Sequence, residues 1–174
     1  MGAYEKALPL YNQALEICKD VLGSQHQDTA GTLNNIAGIY KSMGGYEKAL
    51  PLYNQALNIN IKIFGSQHPA VATTLNNIAL LYDERGNYKD VLPLYNQALE
   101  IREKVLGSQH PDVAATLHNV AGLYYKKKEF EKALPFCQRA VEIYEKTLGP
   151  EHQNTVLMRE NLASIRDKIS NGKK

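Results

Sequence analysis

Long apolar runs are missing from this chain. No stretch approaches the ~18 residues that cross a bilayer, and the N-terminus has no basic-then-apolar leader, so neither a membrane span nor secretion is expected. An excess of charge of one sign is also missing. Charged residues make up 22% and balance to +2, which leaves no basic footprint for nucleic acid. Cysteine is scarce. Cys18 and Cys137 lie far apart and outside any CxxC pair, so both read as reduced thiols of a cytoplasmic protein rather than a disulfide. Catalytic signatures are absent too: there is no Ser-His-Asp set, phosphate-cradling glycine loop or metal cluster. No enzyme activity, cofactor or metal is therefore expected. The nearest approach to an acid–base pair is His118 with Glu160.

What the chain has is repetition. Leu33-Asn34-Asn35-Ile36-Ala37 returns as Leu75-Asn76-Asn77-Ile78-Ala79 and as Leu117-His118-Asn119-Val120-Ala121. A worn copy, Arg159-Glu160-Asn161-Leu162-Ala163, comes last, and the step is constant: 77 − 35 = 119 − 77 = 161 − 119 = 42. A fixed period of this size marks a solenoid, in which each unit packs on its neighbours. Apolar residues at helical spacing predict long helices over about 4–22, 46–64, 88–106 and 130–148. Short helices are predicted over about 28–43, 70–84, 112–126 and 154–169.

The columns of the repeat have separate jobs. Ala14, Ala56, Ala98 and Ala140, with Ala37, Ala79, Ala121 and Ala163, let helices approach closely. Tyr11, Tyr53 and Tyr95, with Tyr40, Tyr82 and Tyr124, read as core by their spacing. Gly23 reads as a left-handed C-cap, and the other long helices are expected to end at Gly65, Gly107 and Gly149. Pro9, Pro51, Pro93 and Pro135 sit inside the long helices, where each removes a backbone hydrogen bond and is expected to bend its helix. His26, His68, His110 and His152 stand in the loops. Helices stacked ~8–10 Å apart cannot bring one-repeat neighbours to a shared ion, so these histidines are expected to fix the loops through hydrogen bonds.

The pattern Leu33, Ile36, Ala37, Tyr40, then Ala49 and Tyr53, resembles the tetratricopeptide repeat. The 42-residue form, with L-P-L-Y-x-x-A-L, L-G, H-P-x-V-A and L-N-N-I-A, is similar to the kinesin light chain type. The resemblance implies an all-α, right-handed superhelical solenoid of antiparallel helix hairpins, eight helices in all. It also implies a non-catalytic scaffold with a peptide groove along the short helices, in a cargo-adaptor or complex-assembly role. The carboxylate clamp of some relatives is not expected. Its positions read Asn34, Gly38, Asn77, Ala115 and Asn119, without the cationic members.

The array is read as one domain: a half-repeat over 1–27, repeats over 28–69, 70–111 and 112–153, a capping helix over 154–169 and a frayed tail over 170–174. Asn35, Asn77, Asn119 and Asn161 form a ladder one residue before an apolar column, so they are expected to face the groove. An amide donates and accepts, which suits the main chain of an extended peptide. Its alternative is to bond a neighbouring helix. Asn34, Asn76 and His118 vary the adjacent column, and Leu80 and Tyr125 would be apolar anchors. Gly38 and Gly122 would leave room for another backbone, and Lys41, Lys126 and Lys127 could meet an acidic ligand. Arg159 and Arg166 replace apolar residues on the last short helix, as a terminal cap requires. Tyr4, Ala7 and Tyr11 show no such correction. Either the array continues upstream or another molecule covers this face, for example the last helix of a second copy, head to tail.

Overall fold

The structure, a computed structural model, describes residues 2–172, with side chains from Tyr4. These residues form eight α-helices and no strand. They are α1 (Gly2–Leu22), α2 (Gln27–Ser42), α3 (Tyr46–Phe64), α4 (Pro69–Glu84), α5 (Tyr88–Leu106), α6 (Pro111–Lys126), α7 (Phe130–Leu148) and α8 (Gln153–Asn171). Two compact units result, residues 1–94 and 95–174.

Each short helix starts on a histidine. Nδ1 of His26, His68, His110 and His152 accepts the backbone N–H of Asp28, Ala70, Asp112 and Asn154, at 3.2, 3.2, 3.1 and 3.2 Å. The imidazole therefore does the work of an N-cap oxygen, satisfying one of the N–H groups a helix start leaves without a partner. This is the loop-fixing role expected of the column. His68 is held further by Phe64, which stacks on it at 4.1 Å between ring centroids.

Gly23 has positive φ, as expected of it, and so do Gly65, Gly107 and Gly149, but Gly65 and Gly149 do not form left-handed helical caps. Their ψ values are 165° and 164°. That combination is open essentially to glycine alone and sends the chain straight out of the helix. The four prolines interrupt none of the long helices. Each frees the carbonyl four residues earlier, at Glu5, Glu47, Lys89 and Glu131, and all four of these residues are exposed. Water can take the bond each proline removes. At the other end α8 runs past the expected tail boundary to Asn171, where the Gly172 N–H bonds the Lys168 carbonyl. Lys173 and Lys174 lie outside the described residues.

In the first unit, Leu15, Ala30, Leu33, Ile36, Ala56 and Ile59 make one cluster of the core. Ala37, Ala49, Tyr53, Ile78 and Leu81 make the next. In the second unit the core lies among α6, α7 and α8, around Leu117, Ala133, Cys137, Ala140, Ile143 and Met158. Burying a large apolar side chain contributes roughly 1.5–3 kcal/mol, and the alanines let the helices close enough to do it. Of the alanine columns, Ala37, Ala56, Ala79, Ala98 and Ala140 are fully buried, whereas Ala14 is half-buried and Ala163 is exposed. The tyrosine columns divide as well. Tyr53 and Tyr95 are buried, Tyr40, Tyr82 and Tyr124 are half-buried, and Tyr11 is exposed, which overturns the core reading for Tyr11.

Candidate functional site

In the first unit the predicted residues gather on the face that α2 shares with α4. Asn35 and Asn77 line the same two cavities, of 490 and 350 Å³. Asn35 is exposed and Asn77 half-buried. Among the described residues neither amide has an intramolecular hydrogen bond, so both keep a donor and an acceptor for another molecule.

Asn34 lies on the same face but is turned toward α4. Its Nδ2 donates to Thr74 Oγ1 at 3.0 Å and to the Ala30 carbonyl at 3.3 Å. Its Oδ1 is buried with no partner among the described residues. Asn76 is buried and has a partner. Leu80 is half-buried on α4. Lys41 does not reach out as expected. It pairs with Glu84 at 2.9 Å, one repeat along the same face.

In the second unit the corresponding face belongs to α6 and α8. His118 meets Asn161, Nε2 to Nδ2, at 3.4 Å, so the amide and not Glu160 is its partner. Burial pushes the His118 pKa down, which favours the neutral ring. Asn119 is half-buried and is not without a partner. Tyr125 bonds Ser164 through their hydroxyls at 3.1 Å and meets Phe130 edge-on at 5.2 Å. Lys127 pairs with Glu129 at 3.1 Å, and Lys126 is not free. Beside His118, Tyr125 and Asn161 opens a cavity of 280 Å³, mostly apolar, with Cys137 in its wall. Burial pushes the Cys137 thiol up to about 11, so it stays protonated and inert at neutral pH. Cys18 and Cys137 are both free thiols.

The sequence reading missed a polar clasp between long and short helices. Thr74 donates to the Ala70 carbonyl at 3.0 Å and accepts from Asn60 at 3.3 Å as well as from Asn34. One repeat on, Arg102 replaces Asn60, and its Nη1 donates to Thr116 Oγ1 at 2.7 Å and the Asp112 carbonyl at 3.0 Å. Burial lowers the Arg102 pKa and the nearby Asp112 opposes that shift. In the first long helix Cys18 stands there, 3.9 Å from Thr32 Oγ1. The signal was present. Thr32, Thr74 and Thr116 recur every 42 residues, opposite a column that changes from Cys18 to Asn60 to Arg102.

Among the described residues no group of three or more His, Cys, Asp or Glu side chains is placed to hold a metal ion. No helix there is long and apolar enough to cross a membrane.

Comparison with known proteins agrees with this architecture. A family model described as Tetratricopeptide repeat matches residues 1–62, 28–104, 85–135 and 112–171. No curated protein matches the chain. Among solved structures, BtubC (BKLC) from P. vanneervenii is similar with a TM-score of 0.81 and 26% identity, over 97% of this chain and 67% of that one. A kinesin light chain-like protein from Podosopora anserina, with nearly identical TPR-like repeats, has a TM-score of 0.77 and 26% identity, over 99% of this chain and 81% of that one. The apo form of RapI shares the fold at 19% identity, with a TM-score of 0.77, over 98% of this chain and 45% of that one. Eight helices in repeated hairpins, a family match along nearly the whole sequence and these solenoid neighbours agree. The chain belongs to the tetratricopeptide repeat family, with repeats of the kinesin light chain type, and is an all-α helical-repeat protein-interaction scaffold.

Proposed function

We propose that the protein is a non-catalytic scaffold of the cytoplasm that holds an extended peptide segment of a partner against its short helices. The role is that of an adaptor or assembly factor, similar to kinesin light chains. The observation that carries this reading is the pair Asn35 and Asn77, whose amides have no hydrogen bond among the described residues and line the same two cavities. An extended main chain offers alternating N–H and C=O groups, and an amide can meet both. The test is selection from a random peptide library, repeated with Asn35→Ala and Asn77→Ala. The reading predicts loss of the selected peptides in both variants. Undiminished capture by both variants places the partner elsewhere.

A second reading is self-association. On α1, Leu10, Ile17 and Val21 are 67%, 55% and 74% exposed. Val156 and Leu157 are exposed on α8. Seating α8 of one copy on α1 of the next would cover both faces head to tail. Sedimentation across a concentration series tests this: a strict monomer at high micromolar concentration rejects it.

A further inference from the structure

The four histidines that start the short helices make the same bond but keep different company. In each, Nδ1 accepts a backbone N–H, so that nitrogen carries no proton and the ring is the neutral Nε2–H tautomer. A second proton turns Nδ1 into a donor, and two donors then face each other. What replaces the lost bond depends on the residue two places on. At His26 and His110 it is an aspartate, whose carboxylate lies 3.6 and 3.9 Å from Nδ1. There the charged ring trades the N–H for an oxygen. At His152 it is Asn154, whose side-chain oxygen can accept as well. At His68 it is Ala70, which offers nothing.

The surroundings of His68 widen the difference. The first turn of α4 holds no acidic residue. From α3, Phe64 stacks on the imidazole at 4.1 Å, and an aromatic face receives a cation well. Lys62, the basic residue of that helix end, bonds Gln25. From α2, Asp28 lines the same 490 Å³ cavity as His68 but pairs with His26, and among the described residues no carboxylate is ion-paired with His68. The charged ring thus has a seat but no acceptor, at the positive end of a helix, where a cation is opposed. The bond it gives up is tied to the rest of the face. Ala70 is held by its N–H on His68 and by its carbonyl, which accepts from Thr74 at 3.0 Å and from Asn60 at 3.5 Å. Thr74 in turn holds Asn34, which lines the cavity with Asn35 and Asn77.

We propose that His68 is a proton-sensitive latch on the first turn of α4. Protonation frees the Ala70 N–H, loosens the chain from Ala70 through Thr74 to Asn34, and lets go of a partner held on that face. The last step rests on the peptide-scaffold reading, and the first two do not. The neutral ring caps the helix and the cation does not. The cap is therefore complete above the range in which histidine titrates, about pH 5–8, and is lost as pH falls through it. The other three caps keep an acceptor for the charged ring, so the response is local to α4 and is not a general acid unfolding.

The test follows the backbone amides of Asp28, Ala70, Asp112 and Asn154 in the full chain by NMR between about pH 8 and pH 5. Protection of the Ala70 amide against hydrogen exchange, corrected for its intrinsic rate, is expected to fall about fivefold, the size of a typical N-cap. The other three should change less than about twofold. Ala70→Asp gives His68 the carboxylate that His26 and His110 have, and should abolish the loss. Asp112→Ala should transfer the loss to the amide at position 112. His68→Asn caps at every pH and should also remove the response, which keeps the test decisive if Ala70→Asp folds poorly. Peptides selected at the upper pH should leave the wild-type protein at the lower one and stay on His68→Asn. An Ala70 amide with unchanged protection, or an equal loss at position 70 in Ala70→Asp, overturns the latch. Loss at Ala70 with peptides held equally at both pH values overturns its link to the partner. A library that yields no binders sinks the scaffold reading, while the Ala70 amide alone decides the latch.

Discussion

Leu8 to Leu15 in α1 and Leu50 to Leu57 in α3 are the same eight residues, yet their burial differs. Tyr11 is 37% exposed and Tyr53 is 2% exposed; Ile17 is 55% exposed and Ile59 is 1% exposed. Identical local sequence, helix type and proline position produce different energetics because α3 has α2 to pack against, and nothing in the described residues covers the same side of α1. In a repeat protein the value of a residue lies largely in its neighbour. A column read down the sequence states what a residue is suited for, and the stack decides whether it is used.

The strongest test of that contrast is to remove the ring from each copy. Tyr53→Ala should lower unfolding free energy by about 3–5 kcal/mol, as other buried aromatic truncations do. Tyr11→Ala should cost under about 1 kcal/mol. Urea unfolding of both variants measures it, and equal losses would break the comparison. pH offers a check without truncation. Burial, helped by Glu84, pushes the Tyr53 pKa from 10.0 up to about 12. The folded state thus holds this proton more tightly than the unfolded chain. The associated stability is complete below pH 10 and is lost as pH rises from 10 towards 12. Tyr53→Phe should flatten stability over that window.

The alanine columns give the next contrast. Ala79 is fully buried, and Ala163, two repeats later in the same column, is exposed. Ala79→Leu should overpack the helix contact and lose about 1–3 kcal/mol. Ala163→Leu should stay within about 0.5 kcal/mol of the parent. A melting midpoint unchanged by Ala79→Leu would refute the close helix approach assigned to this column.

Much of the fold was legible because the information is periodic. The 42-residue step set the helix count, and the glycine and histidine punctuation set most helix ends. The candidate site was less legible, and the amide ladder shows why. Asn35 and Asn77 keep open amides, while Asn161 turns to His118 and Asn34 to Thr74. Sequence spacing places a side chain on a face, but the partner within reach depends on what the next repeat presents. Lys41 is the same lesson: its pairing with Glu84 joins residues 43 positions apart, a relation that helical periodicity within one helix does not encode.

The threonine clasp refines the comparison between repeats. Thr74 accepts two amide donors, from Asn34 and Asn60, whereas Thr32, which donates to the Asp28 carbonyl at 2.8 Å, has the weak thiol of Cys18 at 3.9 Å in place of those amides. Thr74→Val keeps the shape and removes the acceptor from both. Each amide retains a backbone carbonyl partner, so the loss should be about 1–2 kcal/mol, within the usual cost of under-satisfied buried donors. Thr32→Val should cost less, because the group it abandons is a poor donor. A double-mutant cycle with Asn34→Ala then separates the rung between α2 and α4 from the clasp to α3.

The smallest contrast lies in the turns that follow the short helices. Gly44, Gly86 and Lys128 occupy one column, and their φ values are 76°, 74° and 60°. The first two are glycines, for which this region carries no steric penalty. Lys128 is the one non-glycine residue at positive φ among the described residues. Its Cβ is crowded against its own backbone at a cost of roughly 1–2 kcal/mol. Lys128→Gly relieves that strain but also loosens the unfolded chain, which recovers part of the gain. The expected net stabilisation is about 1 kcal/mol. The mirror change, Gly86→Lys, should destabilise by a similar amount. Opposite signs for two substitutions in one column would show that the turn geometry is set by the stacked repeats and not by the residue placed in it. A Lys128→Gly variant no more stable than its parent would mean that the lysine itself holds the turn.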